Sequence, residues 1–476
     1  MKLIRSFALL FIATACLLAS ALAAATSSTD RSKETHVIAF LHATVIPMDR
    51  ERELRDQTVI VANGKIIAVG PASKVKVPAG AERVDVTGRY LIPAMSDMHV
   101  HLLGEAWNLM QRPEARLARK DIPYERFLLP YVANGVTTVQ ELFATPEAIP
   151  LRIRIERGEV LGPRIILAKA IDGPEKGWPP PLTTWVASPA EARKAVRDAK
   201  AAGYDKIKVY SFLDRESYDA IVSTAKELKM DVIGHIPMTL SVEYVLDSGQ
   251  KFIAHSEEFA KHVDGNYSPE RIDYLASLMA KRGVWMTPTL VTSHNLVDLL
   301  DDSAAVLARP EARYFRHPMQ LDVWSFMTEK IYLPIPAAKR ERIRTDLEKF
   351  QRPFTKAIYD KGGKLMAGSD TILPGLVPGF ALHRELKEMV DIGIPPYEAL
   401  RTSTTRPFEY LGEIERAGTI EVGKYSDLVI LDGNPLKDIS NVSKVSGVLM
   451  RGRWLASDDL KKRMNEIVSS PTGPDR

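Results

Sequence analysis

Cysteine is almost absent from this 476-residue sequence, because Cys16 is the only one. A single thiol cannot form a disulfide within the chain, and it excludes metal sites built from several cysteines. The formal net charge is only +4. Lys and Arg form no dense block, so the composition argues against a nucleic-acid partner. An apolar content of 45% and a charged content of 26% are typical of a globular protein.

Long apolar runs are also lacking, and the one near the N-terminus has the features of a secretory signal peptide. Lys2 and Arg5 precede an apolar run over residues 7–18, which is too short to span a membrane comfortably. The Ala-Leu-Ala sequence at 21–23 then supplies a small-residue cleavage site. We therefore expect residues 1–23 to be removed and the protein to be exported, periplasmic or secreted, without stable membrane insertion. A retained membrane anchor is the alternative.

Short β-strand patterns occur at both ends of the mature chain. In the N-terminal part, Asn63 and Gly64 separate two apolar runs, which is a strong signal for a type I′ hairpin. Further short strands follow near the C-terminus, bounded by glycine or Asn-Pro turns. Neither group has enough strands to be stable alone. We therefore predict one small β-sandwich, built jointly by residues 24–92 and 412–476.

The central part, residues 93–411, alternates strand-like and helix-like patterns. Eight strands are predicted, at 91–101, 136–143, 164–171, 206–212, 231–236, 252–256, 284–291 and 364–368. Ser188, Asp214 and Ser268 are placed to begin three of the intervening helices. Eight β/α repeats in about 280 residues predict an α/β fold of the (β/α)8 TIM-barrel type. A doubly wound open sheet is the alternative, but no glycine-rich phosphate loop follows the first strand.

One connection in the predicted barrel is longer than a β/α unit needs. About 70 residues separate the seventh strand from the eighth, against the usual short loop and one helix. We predict that this insertion forms extra helices over the mouth of the barrel. The Trp-Pro-Pro-Pro sequence at 178–181 is expected to form a second, stiff mouth loop.

Polar residues lie at or near the ends of several predicted barrel strands. The set consists of His99, His101, Lys208, His235, His255 and Asp370. Residues i and i+2 of a strand point to the same side, so His99 and His101 project together and can hold one metal ion. Barrel enzymes place their chemistry at the C-terminal ends of the strands. Each residue alone has a structural explanation, such as helix capping by Asp370, but the whole set predicts a metal-dependent catalytic site.

Two motifs together with these residues resemble the amidohydrolase superfamily of metal-dependent hydrolases. They are Ile-Pro-Ala-Met-Ser-Asp-Met-His-Val-His at 92–101 and Ala-Gly-Thr-Ile-Glu-Val-Gly-Lys-Tyr-Ser-Asp-Leu-Val at 417–429, and the resemblance covers nearly the whole chain. The export signal, Ile-Lys-Val-Tyr at 207–210, Gly-His-Ile-Pro at 234–237 and Ala-His-Ser-Glu-Glu at 254–258 are similar to the imidazolonepropionase-like and Xaa-Pro dipeptidase-like branch.

The resemblance implies a binuclear metal centre. Carried over by position, His99, His101 and Asp370 would bind the more buried metal, His235 and His255 would bind the second, and Lys208 would bridge both. The lysine would be carboxylated by carbon dioxide, because two cations about 3.5–4 Å apart need an anionic bridge and a buried lysine tends to lose its proton. Zinc is the expected metal, with manganese, iron and cobalt as alternatives.

The resemblance also implies cleavage of an amide or peptide bond in a small molecule, such as a dipeptide or an N-acyl amino acid. A metal-bridging hydroxide would attack the carbonyl, with Asp370 as general base and then general acid. Tyr210 would face the same side as Lys208 and stabilise the developing charge, or serve only as an aromatic wall. A lactone or ester hydrolase, and an inactive metal-binding or solute-binding protein, are the alternative functions. The sequence does not determine the oligomeric state, and a homo-oligomer is possible.

Overall fold

The computed structural model describes residues 36–102, 122–174, 177–315, 317–371 and 373–469. The predicted signal peptide, including Cys16, lies outside these residues. Among the described residues, no helix combines the length and the apolar character that a membrane crossing requires.

The described residues form seventeen strands and sixteen α-helices. The strands are β1 Val37–Val45, β2 Leu54–Ala62, β3 Lys65–Pro71, β4 Glu82–Asp85, β5 Tyr90–Pro93, β6 Met95–Val100, β7 Val136–Glu141, β8 Arg164–Asp172, β9 Thr183–Trp185, β10 Lys206–Val209, β11 Asp231–Gly234, β12 Phe252–Ala254, β13 Trp285–Thr287, β14 Lys364–Leu365, β15 Leu428–Leu431, β16 Val445–Met450 and β17 Arg453–Ala456. The helices are α1 Tyr124–Ala133, α2 Ala148–Glu156, α3 Pro189–Ala202, α4 Arg215–Glu227, α5 Val242–Ser248, α6 Glu257–Ala260, α7 Pro269–Arg282, α8 Leu290–Asp301, α9 Ser303–Leu307, α10 Pro318–Phe326, α11 Ala337–Asp346, α12 Arg352–Asp360, α13 Phe380–Asp391, α14 Pro396–Ser403, α15 Thr405–Leu411 and α16 Ser457–Ser469.

Eight parallel strands form the predicted barrel. Their order is β6-β7-β8-β10-β11-β12-β13-β14, and β9 is an additional strand on β8. The first and last strands meet through backbone hydrogen bonds, from Met98 N to Ala367 O at 3.0 Å and from Asp370 N to His99 O at 2.7 Å. Closure therefore brings the C-terminal ends of β6 and β14 side by side, although more than 260 residues separate them in the chain.

Two predicted barrel strands have different boundaries in the structure. The run predicted at 91–101 is divided, because β5 pairs with β15 and β1 of the other sheet while the barrel strand begins at Met95. The strand predicted at 284–291 ends at Thr287, and Leu290 begins α8. Pro288 lacks a backbone N–H, and Thr289 has φ +50°, so the chain turns out of the sheet there. The apolar pattern itself continues across both boundaries, which is why the sequence did not reveal them.

The second sheet is built by both termini, as predicted. Its order is β17-β16-β15-β5-β1-β2-β3, with β4 paired to β1. Asn63 and Gly64 connect β2 and β3 with φ values of +52° and +71°, as a type I′ turn requires. Phe40 of β1 and Trp454 of β17 lie with ring centroids 5.3 Å apart, although three strands separate β1 and β17 in the sheet. The sheet therefore folds over its own apolar core.

Three predicted helix starts are confirmed by side-chain caps. The Ser188 hydroxyl oxygen accepts a hydrogen bond from Glu191 N, the Asp214 carboxylate from Ser217 N, and the Ser268 hydroxyl oxygen from Arg271 N. These caps satisfy backbone donors that have no partner within the helix. They set where α3, α4 and α7 begin, and thus the lengths of the preceding loops at the mouth.

The long connection between β13 and β14 is helical, as predicted. It contains α8 to α12 and shorter helical turns at Pro310–Tyr314, Met327–Tyr332 and Leu347–Gln351. Side chains from this insertion line one large pocket together with residues at the ends of the barrel strands. The insertion therefore covers the mouth of the barrel, and the Trp178 side chain from the second mouth loop lines the same pocket.

Candidate metal centre

Barrel closure brings His99, His101 and Asp370 together. Asp370 Oδ1 lies 3.2 Å from His99 Nε2 and 2.9 Å from His101 Nε2. A Cβ on Gly368 would lie 2.7 Å from the Cβ of His99, so a larger residue there would push these strand ends apart. The predicted same-side projection of the two histidines and their proximity to Asp370 are therefore present in the structure.

His255 and His235 extend this cluster along the next strand ends. The His255 ring lies 4.5 Å from that of His99 and 5.1 Å from that of His235, measured between centroids. One ligand atom each from His99, His255 and Asp370 lies within 4.8 Å of the others. The resemblance assigns His99 and Asp370 to one metal and His255 to the other, so this group of three contains ligands from both sets. The division of ligands between two ions stays a prediction.

The backbone at the ligand positions is held in unusual conformations. His255 and Asp370 have φ values of +69° and +49°, in a region that residues other than glycine seldom occupy. Gly234, which precedes His235, has φ +116°, and a Cβ there would lie 2.3 Å from the carbonyl oxygen of Val209. Such conformations persist only where the surrounding structure enforces them, and they concentrate at functional sites.

Lys208 is fully buried beside this cluster. Its Nζ lies 4.3 Å from the ring centroid of Phe143 and 5.1 Å from that of Tyr210. No hydrogen bond or ion pair joins this amine to another described side chain. Burial lowers the pKa of Lys208 from 10.5 to about 8, even though Asp370 and Glu141 oppose the shift. The amine therefore has an accessible neutral form, which is the form that reacts with carbon dioxide.

The imidazoles are also biased toward their neutral, ligand-competent form. Burial lowers the pKa of His99 to about 3, holds that of His255 well below its usual value, and lowers that of His235 despite Glu258. Burial acts in the same direction on His101, but its interactions with the carboxylates of Asp370 and Glu141 outweigh it and raise the pKa.

Three buried carboxylates around the cluster were missed from the sequence. Glu258 Oε1 lies 3.1 Å from His235 Nδ1, and Glu141 Oε1 lies 3.7 Å from His101 Nδ1. Asp97 accepts hydrogen bonds from Ser369 N at 2.9 Å and Ser369 Oγ at 2.5 Å, which ties the first strand end to the eighth. Carboxylates in such positions fix the orientation of ligating side chains.

A sequence signal existed for one of these carboxylates. Glu141 is a charged residue near the end of the predicted second barrel strand, as the predicted ligands are near the ends of theirs, and could have been found from that position. Glu258 occurs inside the quoted Ala-His-Ser-Glu-Glu motif, but nothing in the sequence shows that it reaches back to His235. Thr289, whose Oγ1 lies 2.8 Å from His255 Nδ1, gave no signal at all.

Tyr210 lies in the pocket wall next to the cluster. Its ring stacks on His235 with centroids 3.9 Å apart, and its hydroxyl oxygen accepts a hydrogen bond from Trp178 Nε1 at 3.3 Å. Burial raises the pKa of Tyr210 above its usual value, so the phenol is neutral at pH 7. Because the contact with Trp178 uses an oxygen lone pair, the O–H of Tyr210 is left to donate to another group.

The residues present fit divalent cations. His235 Nε2 is buried and has no hydrogen-bond partner among the described residues, which leaves a lone pair or a proton unpaired. Four imidazoles, three of them biased toward the neutral form, and a carboxylate are suitable ligands for zinc and similar metals. The uncompensated Lys208 amine is explained if it carries a carboxylate that serves as another ligand.

A closed parallel barrel with imidazoles and a carboxylate at its strand ends defines the class of (β/α)8 hydrolases that use divalent metals. The model of the amidohydrolase family matches residues 90–455, and the chain belongs to this family. The match begins at β5 and includes both the barrel and the C-terminal strands of the second sheet.

Individual relatives have low sequence identity to this chain. The 5-methylthioadenosine/S-adenosylhomocysteine deaminase of Symbiobacterium thermophilum is 24% identical over 412 residues, which cover 82% of this chain and 84% of the relative. A solved Xaa-Pro dipeptidase with methionine bound in its active site is 21% identical, with a TM-score of 0.67 over 88% of this chain and 100% of that one. The solved bottromycin amidohydrolase is 21% identical, with a TM-score of 0.69 over 93% and 91%. At these identities the solved structures establish a shared fold.

Proposed function

We propose that this protein is an exported hydrolase that cleaves an amide or peptide bond with the help of two divalent cations, most readily zinc. The observation that carries the proposal is the convergence of four histidines, one aspartate and one buried lysine at the C-terminal ends of the barrel strands, where all of them except His99 line one pocket. A merely structural cluster would satisfy these polar groups with one another, whereas His235 Nε2 is buried without a hydrogen-bond partner among the described residues. The Lys208 amine lies over the rings of Phe143 and Tyr210.

Each side chain of the cluster has a distinct task in this proposal. His99, His101 and Asp370 would hold one cation, His235 and His255 would hold the other, and carboxylated Lys208 would supply an anionic ligand to both. When bound, the cations supply a water of lowered pKa and polarise the scissile carbonyl. Glu258 and Glu141 keep the rings of His235 and His101 in their ligating orientations.

Asp370 is the residue that moves protons. Its contacts with the two imidazoles are made through Oδ1, which leaves Oδ2 as the oxygen for proton transfer. Burial alone would raise the pKa of this carboxyl, but the charge and hydrogen bonds of the surrounding imidazoles hold the pKa well below its usual range. An ionised Asp370 at neutral pH can accept a proton from the attacking water and return it to the leaving group.

The substrate class proposed is a dipeptide or an N-acyl amino acid. The fold neighbours named as an Xaa-Pro dipeptidase and as an amidohydrolase support amide chemistry. The second candidate is hydrolytic deamination, which the name of the Symbiobacterium relative favours. The two reactions differ in their product, because deamination releases ammonia whereas dipeptide or N-acyl cleavage releases an amino acid. Ester or lactone cleavage at the same site is the third outcome to be tested.

The test uses the chain from residue 24 onward, with its metal content measured and zinc or manganese supplied. The protein is assayed against dipeptides, N-acyl amino acids, matched esters, 5-methylthioadenosine and S-adenosylhomocysteine. The assays measure the release of amino acid, acid and ammonia. We expect about two metals per chain and amino acid release from the amides. Release of ammonia from the adenosines with no amide cleavage would replace the proposal with deamination.

Asp370→Asn provides the matched variant for proton transfer. Its amide oxygen can still approach a cation but cannot take up a proton. We expect a larger loss in turnover than in metal content. Full turnover in this variant would require another base. Export is tested separately, by fractionating cells that express the full chain.

A further inference from the structure

The metal-site side chains occupy only the inner end of a much larger pocket. Its volume is about 450 Å³, which lies in the range of about 300–1,000 Å³ found for pockets that bury drug-sized ligands. Lys208 and His255 mark the buried end, whereas the exposed Lys339 and Glu257 mark the end that meets solvent. An amide with a small substituent on each side would fill only the part near Asp370.

The wall between these two ends comes mainly from the insertion between β13 and β14. Its apolar contributors are Leu296, Val323, Met327, Ile331, Ile335 and Ile343. These aliphatic and thioether side chains offer no hydrogen-bond donor and only a weak acceptor in the sulfur of methionine. A polar ligand body in contact with them would lose its hydrogen bonds to water without replacement.

Packing behind the wall keeps it in place. Val323 and Met327 are buried members of an apolar cluster that also contains Phe315 and Trp324, whose rings stack 4.4 Å apart. Ile331 and Tyr332 pack against the same cluster from the pocket side. These contacts fix the position of the wall over the barrel mouth.

Most charges of the pocket are already paired. Lys261 Nζ lies 3.2 Å from Glu257 and 2.6 Å from Glu258, and Asp346 is paired with Arg342 at 2.7 Å. Apart from the metal-site residues, Lys339 is the charged residue of the pocket that forms no ion pair with any described side chain. A bound ligand would therefore contact polar groups at the metal-site end and at the solvent end of the pocket. Between the two ends it would contact an apolar surface.

We propose that the substrate is an amphipathic amide, in which one side of the scissile bond carries an apolar chain or ring system much larger than an alanine side chain. The inserted helices bind this group. An N-acyl amino acid with an acyl chain of about eight to twelve carbons has this chemistry, as does a dipeptide with a long alkyl side chain. The proposal rests on the proposed amide hydrolysis and names the substrate class within it.

The first experiment measures kcat/KM against chain length. One series is N-acyl-alanine from acetyl to dodecanoyl, and the other is alanyl dipeptides with linear side chains from methyl to octyl. Burial of each methylene contributes about 0.8 kcal/mol, and about 1.4 kcal/mol corresponds to a tenfold change. We therefore expect about a fourfold rise per methylene in at least one series, until the pocket is filled.

A pair of variants tests whether the insertion is responsible. Ile331→Trp adds bulk inside the pocket and is expected to move the optimum to shorter chains, with at least a tenfold loss for the longest substrate relative to the shortest. Leu333→Trp is the matched control, because Leu333 is exposed and does not line the pocket. The control should keep the wild-type length profile.

Binding to the metal-free protein separates this proposal from the proposed function. Calorimetry compares N-decanoyl-alanine with N-acetyl-alanine, and we expect tighter binding and a more negative heat-capacity change for the decanoyl compound. Length-dependent binding without hydrolysis of any amide would support the pocket assignment and overturn amide hydrolysis. A flat length profile in both series and in binding would overturn the pocket assignment while leaving amide hydrolysis in place.

Discussion

Lys208 and Tyr210 show how burial prepares single side chains for chemistry. Lys208 has no ion pair among the described residues, so the lowering of its pKa to about 8 follows mainly from desolvation. Tyr210 remains neutral for the same reason, and its hydroxyl oxygen already accepts a hydrogen bond from Trp178. Lys208 is thus suited to carboxylation, and Tyr210, two residues further along the chain, is suited to donating a hydrogen bond.

Replacement of Lys208 tests the anionic bridge. Lys208→Ala is expected to lose metal and nearly all activity, because the bridging charge is lost with the side chain. Lys208→Glu should retain part of both, since a carboxylate can partly replace the carbamate. Lys206→Ala is the control, because Lys206 lies on the same strand but pairs with Asp231 at 2.6 Å. Wild-type metal content in Lys208→Ala, measured by elemental analysis, would refute the bridging role.

Replacement of Tyr210 tests stabilisation of the developing charge. Tyr210→Phe should keep the fold and the metals while kcat/KM falls by about 10²–10³, the usual loss for one oxyanion donor. Trp178→Phe removes the hydrogen bond to the tyrosine hydroxyl and part of the pocket wall but keeps the Tyr210 O–H, so it should cost much less. Unchanged kinetics of Tyr210→Phe on the best library substrate would make Tyr210 an aromatic wall and leave the metal ligands unaffected.

At the scale of elements, α8 illustrates how the metal centre competes with helix capping. The hydroxyl of Thr289, which precedes α8, is used by His255 Nδ1 and makes no cap hydrogen bond. The first turn is satisfied from a different helix instead, because Glu385 of α13 accepts a hydrogen bond from Val291 N at 2.7 Å. The insertion is therefore attached to the barrel through a buried carboxyl group.

This arrangement predicts a pH-dependent contribution to stability. Burial raises the pKa of Glu385 from 4.5 to about 8, so between these values the folded state binds a proton that the unfolded state lacks. The stabilising contribution is complete below pH 4.5 and is lost as the pH rises through about 8. Glu385→Gln should therefore gain stability relative to the wild type as the pH rises from 5 to 8, by a few kcal/mol at about 1.4 kcal/mol per pKa unit.

Glu388 on the same helix provides a control of opposite sign. Burial alone would raise its pKa, but His294 and Arg352 lower it, with contacts of 2.5 and 2.7 Å. The stability that Glu388 contributes is present above pH 4.5 and is lost as the pH falls through its lowered pKa, so Glu388→Gln should become less stable relative to the wild type as the pH rises toward 4.5. Both differences are measured by denaturant unfolding across the pH range. The same pH slope for both variants would contradict the assignment to Glu385.

At the scale of the whole molecule, the terminal sheet joins chain segments that are far apart in sequence. β5 pairs with β15 from Tyr90 opposite Leu431 to Pro93 opposite Leu428. The chain then crosses directly into the barrel, where Ala94 N still bonds to Asp427 O at 2.9 Å and Met95 N bonds to Gly135 O. The sheet therefore anchors the strand that carries His99 and His101.

Removal of the Trp454 side chain tests how much the terminal sheet contributes to the stability of the protein. Its ring covers Phe40, and it lies so close to Gly447 that a Cβ there would be 2.1 Å away. We expect Trp454→Ala to destabilise the protein by about 2–3 kcal/mol, somewhat less than the usual loss for a fully buried tryptophan. Val422→Ala, at an exposed position on the same domain, should change stability by under about 0.5 kcal/mol. Equal losses in urea unfolding monitored by circular dichroism would contradict this role.

The sequence by itself determined the barrel and the six proposed metal-site residues, because these depend on local patterns. A polar residue that closes an apolar strand is visible in a few neighbouring letters, and parallel strand ends of a barrel meet at one face in any closed arrangement. The alternation of strands and helices and the capping residues Ser188, Asp214 and Ser268 are local in the same sense. The type I′ turn at Asn63-Gly64 follows from two residues alone.

Only the tertiary structure decided which distant groups meet. Glu258 reaches His235, Asp97 holds Ser369, and Glu385 caps α8 from α13, each through contacts between separate elements. The transfer from one sheet to the other at Ala94 lies within one continuous apolar run, and hydrophobic periodicity does not record which strand is the partner. The apolar wall of the pocket likewise depends on how the inserted helices pack over the barrel, because a helix with apolar residues on several sides gains similar burial against many surfaces.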